Sequence, residues 1–372
     1  MDNELIKDAD ASKPLSAGKK KRKWPFVLGG IFLLLLILYI VLVYFLVSAA
    51  LVPSFMEKLD AFSEVTDKGI SEQQHTDDIE KNHDITLDET SEWLEHVSYQ
   101  KYKIMSEDGY ELIAMQFDPY AEAAGSAAVS GSAISGSAAE TDTSSEDSHN
   151  WVLILHGYTG SKEEMYPFAM EYCKRGYHAL VPDLRCQGES DGDFIGMGYT
   201  DSKDCLLWID GILRLDKDAR IVVHGQSMGA ATALIMTGDG RLQSNVKAVV
   251  ADSSYTDAYE MFRAKIGDWF SLPAFPLVDS ARLMLMLRGG YDLDDASAVE
   301  AVKRSHTPTL FIHGDKDRMI DPDMSRELYA AESCPDKELF MVPGAGHAQP
   351  QEKDPKGYYD TVFGFLEKHL GK

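Results

Sequence analysis

The sequence predicts an α/β domain on a mostly parallel, doubly wound sheet with antiparallel N-terminal strands, preceded by one transmembrane helix. Three observations carry this expectation. An apolar run without a charge extends from Phe26 to Val52. Beyond residue 150, short and wholly apolar runs alternate with segments of helical periodicity, the pattern of strands buried on both faces and connected by helices. The segment Gly225-Gln226-Ser227-Met228-Gly229 stands between one such run and a stretch of strong helix formers.

The elements follow in chain order. Lys19-Lys20-Lys21-Arg22-Lys23 ends a basic tail spanning residues 1–25, whereas no Lys follows the apolar run until Lys58. The run, residues 26–52, exceeds the ~20 residues that a bilayer-crossing helix requires. The charge asymmetry predicts a cytoplasmic N-terminus and an extracytoplasmic remainder. A cleaved leader with Ser48-Ala49-Ala50 as its processing site is the rival reading, but leader cores are only ~7–15 residues long. Trp24 and Tyr44 suit the two interfaces. Residues 53–96 are polar and acidic with scattered apolar positions, including Phe55, Leu59, Phe62 and Trp93, and read as a partly helical stalk whose last part packs on the domain.

The domain, residues 97–372, opens with Tyr99–Met105 and Tyr110–Phe117. Both alternate around Glu107-Asp108-Gly109, as in a hairpin. Residues 121–149 are rich in Gly, Ser and Ala and then acidic, a composition with too little apolar surface to order itself, and are expected to form a flexible surface insertion. Strands are expected at Val152–Leu155, Ala179–Val181, Ile221–Val223, Val246–Val250, Thr309–Ile312 and Leu339–Val342. Helices are expected over Ser202–Leu213, Met228–Met236 and Tyr358–Leu370 from apolar spacings of three and four.

Composition narrows the function. The chain is 44% hydrophobic and 26% charged, with a formal net charge of -24. Residues 1–52 are net +3, which leaves -27 for the remainder. So acidic a surface repels nucleic-acid phosphates, and nucleic-acid binding is set aside. Cys173, Cys186, Cys205 and Cys334 are far apart and lack metal-ligand spacing. They read as small buried hydrophobes, with a single bridge as the alternative in an oxidising compartment. No metal or organic cofactor is implied.

The chemistry centres on Ser227. A Gly-x-Ser-x-Gly segment between strand and helix places the serine on a sharp turn at the strand's C-terminal end. A serine hydroxyl is a weak nucleophile until a base takes its proton and an acid orients that base. Thr309–Ile312 leads into His313-Gly314-Asp315-Lys316-Asp317, and Leu339–Val342 leads into Gly344-Ala345-Gly346-His347. His347 is the candidate base and Asp317 the candidate acid. Asp315 and Asp252 remain rivals for the acid. His156, His224 and His313 precede glycines at strand ends and read as structural.

These residues, with His156-Gly157-Tyr158 and Asp183-Leu184-Arg185-Cys186-Gln187-Gly188-Glu189-Ser190, resemble the α/β-hydrolase superfamily from about Ser98 to Lys372. Within it, the chain is similar to membrane-anchored bacterial hydrolases described as serine-aminopeptidase-like. The second motif usually reads D-x-R-G-x-G-x-S, and Cys186 stands where the first Gly is expected. The resemblance implies an oxyanion hole formed by the backbone N–H groups of Tyr158 and Met228. It also implies a helical lid over residues 253–300, where Met261, Phe262, Trp269, Phe270 and Leu283–Leu287 are apolar. Such a lid suits an acyl chain, although the same residues would serve simply to pack it. The expected activity is hydrolysis of a carboxylic ester on a small or acyl-chain substrate. An aminopeptidase or amidase with the same residues is the alternative, and a non-catalytic binding or scaffold protein is more distant. Dehalogenation is excluded because it requires a carboxylate at position 227. Partners are a small or acyl substrate and the membrane.

Overall fold

The computed structural model describes residues 24–56, 77–119 and 148–370. The expectations for residues 1–23, for the middle of the stalk and for nearly all of the 121–149 insertion lie outside the described residues. The chain divides into two compact units, residues 1–42 and 43–372.

Helix α1 spans Trp24–Leu51. Its Val27–Leu51 portion has a mean hydropathy of 3.1 over 25 residues. At 1.5 Å per residue it is long and apolar enough to cross a ~30 Å hydrocarbon layer. Within the first unit, Val27, Leu28 and Ile31–Leu38 expose their side chains. In the second unit, Val43, Val47, Ser48, Ala49 and Leu51 are buried. The Leu51 carbonyl there accepts the Ile195 N–H at 2.9 Å. Ten residues of the expected spanning segment, 43–52, therefore group with the domain.

Helix α2, Asp77–Leu94, lies in the last part of the expected stalk. It packs on the domain through Ile79 and Trp93, both buried. The Trp93 ring lies 4.9 Å from that of Phe117, and Asn82 Nδ2 donates to the Glu352 carbonyl at 2.8 Å.

The sheet contains β1 (Tyr99–Met105), β2 (Glu111–Phe117), β3 (Asn150–Leu155), β4 (His178–Pro182), β5 (Arg220–Gln226), β6 (Val246–Asp252), β7 (Thr309–Gly314) and β8 (Lys337–Val342). Their order is β1-β2-β4-β3-β5-β6-β7-β8. The β1–β2 and β2–β4 pairs are antiparallel, and every pairing from β4 to β8 is parallel. The chain reverses its walk across the sheet between β3 and β5, and the C-terminal ends of the parallel strands beside such a reversal are where α/β sheets place their sites.

Helices cover both faces. One carries α2, α3 (Tyr166–Cys173) and, near the C-terminus, Pro355–Leu370; the other carries α4 (Tyr199–Leu215), α5 (Met228–Thr237) and the short Ala298–Val302 and Pro322–Ala331 helices. Strand residues alternate accordingly. Val152, Ile154, Val181, Val222, Val250 and Ile312 join Trp93, Phe168, Tyr172, Tyr358 and Phe365 in one core cluster. Between β6 and β7, α6 (Ala258–Phe270) and α7 (Ala274–Arg288) leave strand–helix alternation and pack on each other. Asp257 caps α6 by accepting from the Glu260 N–H.

Because Trp93 fills the space between α2 and β2, Trp93→Ala should lower stability by about 3–5 kcal/mol. Thermal melting of the full-length protein in detergent measures this. A loss below about 1 kcal/mol would mean that α2 is not part of the fold.

Candidate active site

The Gly225–Gly229 segment closes into a sharp turn between β5 and α5. Ser227 adopts φ 55 and ψ -117, outside the regions open to ordinary side chains. Its N–H donates to the Asp252 carbonyl at 2.7 Å, which ties the turn to β6. A Cβ on Gly225 would lie 2.2 Å from the Gly229 carbonyl oxygen, and one on Gly229 would lie 2.2 Å from that of Leu155. Both glycines are needed for β5, α5 and the end of β3 to approach this closely.

The two loops expected to supply base and acid are stitched together. Asp315 Oδ1 accepts the Gly344 N–H at 2.6 Å, while the N–H groups of Asp315 and Lys316 donate to the Val342 and Ala345 carbonyls. Asp315 is thus occupied as a loop brace. The stitching brings His347 between Ser227 and Asp317. The Ser227 hydroxyl donates to His347 Nε2 at 2.8 Å, and His347 Nδ1–H donates to Asp317 Oδ2 at 2.7 Å.

Asp317 is buried. Its Oδ1 accepts the N–H groups of Met319 and Ile320, each at 2.8 Å. Its Oδ2 lies 3.0 Å from His313 Nε2 in addition to His347. Burial alone would raise its pKa, but the charge of His347 and the bonds from His313 and His347 outweigh that and hold the carboxyl well below the usual range. His313 is itself fixed, with Nδ1 accepting from Ser325 Oγ at 2.6 Å. The sequence reading assigned His313 a structural place and missed this contact with the acid. Its spacing of four from Asp317, from the end of β7 into the following loop, was the available signal.

Asp252, the other rival acid, points elsewhere. Its Oδ2 accepts from Tyr358 Oη at 3.0 Å and its Oδ1 from Ser253 Oγ at 2.9 Å. Burial, first of all, pushes its pKa up to about 6. Tyr358 in turn accepts from His224 Nε2 at 3.0 Å, and His224 Nδ1 accepts from Tyr172 Oη at 3.0 Å. A buried polar chain therefore runs beneath the serine turn. Burial lowers the pKa of His224 to about 3.

The loop after β3 lies against the serine: a Cβ on Gly157 would be 3.5 Å from Ser227 Cβ. His156 supports this loop, with Nδ1 donating to the Gly157 carbonyl at 2.8 Å and Nε2 accepting the Leu184 N–H at 2.9 Å. Tyr158 follows Gly157 directly, and Met228, wholly buried, follows the serine. Tyr158 Oη donates to the Ala50 carbonyl at the end of α1.

The Asp183–Ser190 segment is a loop brace. Lys162, buried, gives its ammonium to Asp183 and Glu189 at 2.7 and 2.9 Å, and Arg185 pairs with Asp204 through two bonds. Cys186, at the expected Gly position, has φ 64. All four cysteines are free, with Cys186 half-buried and the others buried.

The model of the alpha/beta hydrolase family matches residues 152–361. This chain belongs to that family. Over 223 residues it is 29% identical to the Bacillus subtilis protein YqkD, covering 59% of this chain and 72% of that one. Over 249 residues it is 24% identical to a thermostable monoacylglycerol lipase from a Bacillus species, covering 59% of this chain and 91% of the lipase. The structure of an esterase from Pyrococcus furiosus, Pf2001, superposes with a TM-score of 0.55 at 20% identity, covering 74% of this chain and 92% of the esterase. The fold is therefore the α/β-hydrolase fold.

Two predictions follow from the turn and the chain beneath it. Gly229→Ala should destabilise the protein by about 1–3 kcal/mol through the forced contact with the Leu155 carbonyl, read as a lower melting temperature. At His224, between pH 3 and 6.5 the unfolded chain binds a proton that the folded chain refuses. This contribution to stability therefore rises with pH across that window. Asp252 works in the opposite sense, because the folded chain keeps a proton up to about pH 6 that the unfolded chain has released. The melting-temperature gap between wild type and His224→Gln should narrow as the pH falls from 6.5 toward 3, and a gap independent of pH would refute the assignment.

Proposed function

We propose that this chain is a membrane-anchored serine hydrolase that cleaves a carboxylic ester of a small or acyl-chain substrate outside the cytoplasm. The observation that carries the reading is the hydrogen-bonded row from Ser227 Oγ through His347 to Asp317, at 2.8 and 2.7 Å. A strained serine turn is retained where function needs it, and a buried carboxylate with four donors is suited to orienting a histidine.

In this mechanism the Ser227 oxygen attacks the ester carbonyl carbon while His347 Nε2 takes the hydroxyl proton. The tetrahedral oxyanion is received by the backbone N–H groups of Tyr158 and Met228, with the N-terminus of α5 adding favourable potential. Collapse expels the alcohol, which leaves with the proton held by His347, and an acyl-serine remains. Water then attacks the acyl carbon, His347 takes its proton, and the acid departs as the proton returns to Ser227. Asp317 stays ionised throughout and supports the imidazolium. His313 holds the Asp317 carboxylate and is a positioning residue.

An ester is favoured over an amide by the apolar helices α6 and α7, which leave β6 beside the serine turn and read as the lid. The relative named a monoacylglycerol lipase supports the same class. The anchor is α1, and the basic Lys19–Lys23 segment supports a cytoplasmic N-terminus.

A fluorophosphonate probe should label the wild-type protein and not Ser227→Ala. On p-nitrophenyl esters, Asp317→Asn should lose about 10,000-fold in kcat, and the esters should be turned over faster than aminoacyl anilides. Absence of labelling and turnover in folded wild-type protein would reject the reading, and faster anilide cleavage would move it to a peptidase.

A further inference from the structure

Helix α7 is apolar on two faces. Leu277, Val278 and Leu285 point inward and are buried. On the other side Leu283, Met286 and Leu287, spaced three and four apart, are 57%, 45% and 76% exposed. A surface helix ordinarily turns a polar face outward, and a contiguous exposed apolar stripe marks a surface that something covers.

The chain itself indicates what covers it. Arg288, the residue after Leu287, donates from Nη1 to Ser48 Oγ at 2.9 Å. Its guanidinium also lies over the Tyr44 ring, 4.1 Å from the centroid. Tyr44 and Ser48 belong to the last two turns of α1, where side-chain burial begins. Tyrosine at the end of an apolar span is a residue of the membrane–water boundary. The three exposed side chains lie within five residues of Arg288, or about 8 Å of helix. Within the 43–372 unit, the last turn of α7 thus lies against the C-terminal part of α1, beside the end of the apolar run.

We infer that the outer face of α7, Leu283, Met286 and Leu287, docks into the surface of the bilayer that α1 spans. The remainder beyond residue 52 is strongly acidic, so contact through apolar side chains, without anionic headgroups, is the favoured mode. The inference rests on α1 being membrane-inserted and is independent of the reaction that Ser227 performs.

The test uses the full chain in phosphatidylcholine vesicles, in a Cys186→Gly background that removes the half-buried thiol. An environment-sensitive dye is placed in turn at Leu283→Cys, Leu287→Cys and Leu215→Cys. Leu215 is an exposed leucine at the end of α4, which leads to the N-terminal edge of β5. Spin-labelled phosphatidylcholine should quench the dye at 283 and 287 at least about twofold more than at 215, and aqueous iodide should show the reverse order. A lipid-to-iodide quenching ratio at 283 and 287 no higher than at 215 overturns the inference. Protection from both quenchers also overturns it, because the face would then be covered by protein, such as a second copy.

Discussion

The site depends on one close approach, that of β5 and α5 to the end of β3. With no side chain on Gly225 or Gly229, the backbones come within distances that a Cβ would forbid. The cost within this turn falls on Ser227, whose φ is 55, and is met by its N–H bond to the Asp252 carbonyl and by the burial of α5. Strain of this kind persists only where surrounding structure over-determines it. Beneath the turn, Asp252, Tyr358, His224 and Tyr172 supply a fully buried hydrogen-bonded chain rather than loose apolar packing, and each polar atom in it has a partner. A network satisfied in this way holds a backbone more firmly than dispersion contacts alone.

The second constraint is electrostatic. A buried carboxylate is expensive unless it is neutralised or surrounded by donors. Asp252 and Asp317 resolve the same problem in opposite ways. Asp252 accepts two hydroxyls and its pKa rises, whereas Asp317 accepts two backbone N–H groups and two imidazoles and its pKa falls. The difference lies in the donors, since both groups are buried. It is also what makes Asp317, and not Asp252, suited to stabilise a developing imidazolium at His347.

The end of α1 adds a third feature. Its last two turns are held by Ile195, Arg288 and Tyr158, drawn respectively from the loop before α4, the end of α7 and the loop beside Ser227. Within the 43–372 unit, Val43–Leu51 is therefore a structural element and not a linker. A soluble version of the domain begun after residue 52 would remove these three contacts of the 43–51 segment.

Much of this was legible in the sequence because it is local. The apolar span of α1, the eight strands and the glycine-framed serine are set by periodicity and steric demands within ten or so residues. Strand positions read from apolar runs fall within the observed elements apart from Tyr110, which precedes β2. The candidate serine, histidine and acid were likewise legible, since chain order and the strand ends expose them. Tertiary structure alone decided the rest. That Asp317 faces His347 while Asp315 braces Gly344 depends on two loops 30 residues apart being stitched in one register. That His313 reaches the acid depends on a buried imidazole turned by Ser325. The contacts of Ala50 with Tyr158 and Ser48 with Arg288 span 108 and 240 residues. No periodicity encodes such contacts, because they exist only once the sheet has fixed which loops emerge side by side.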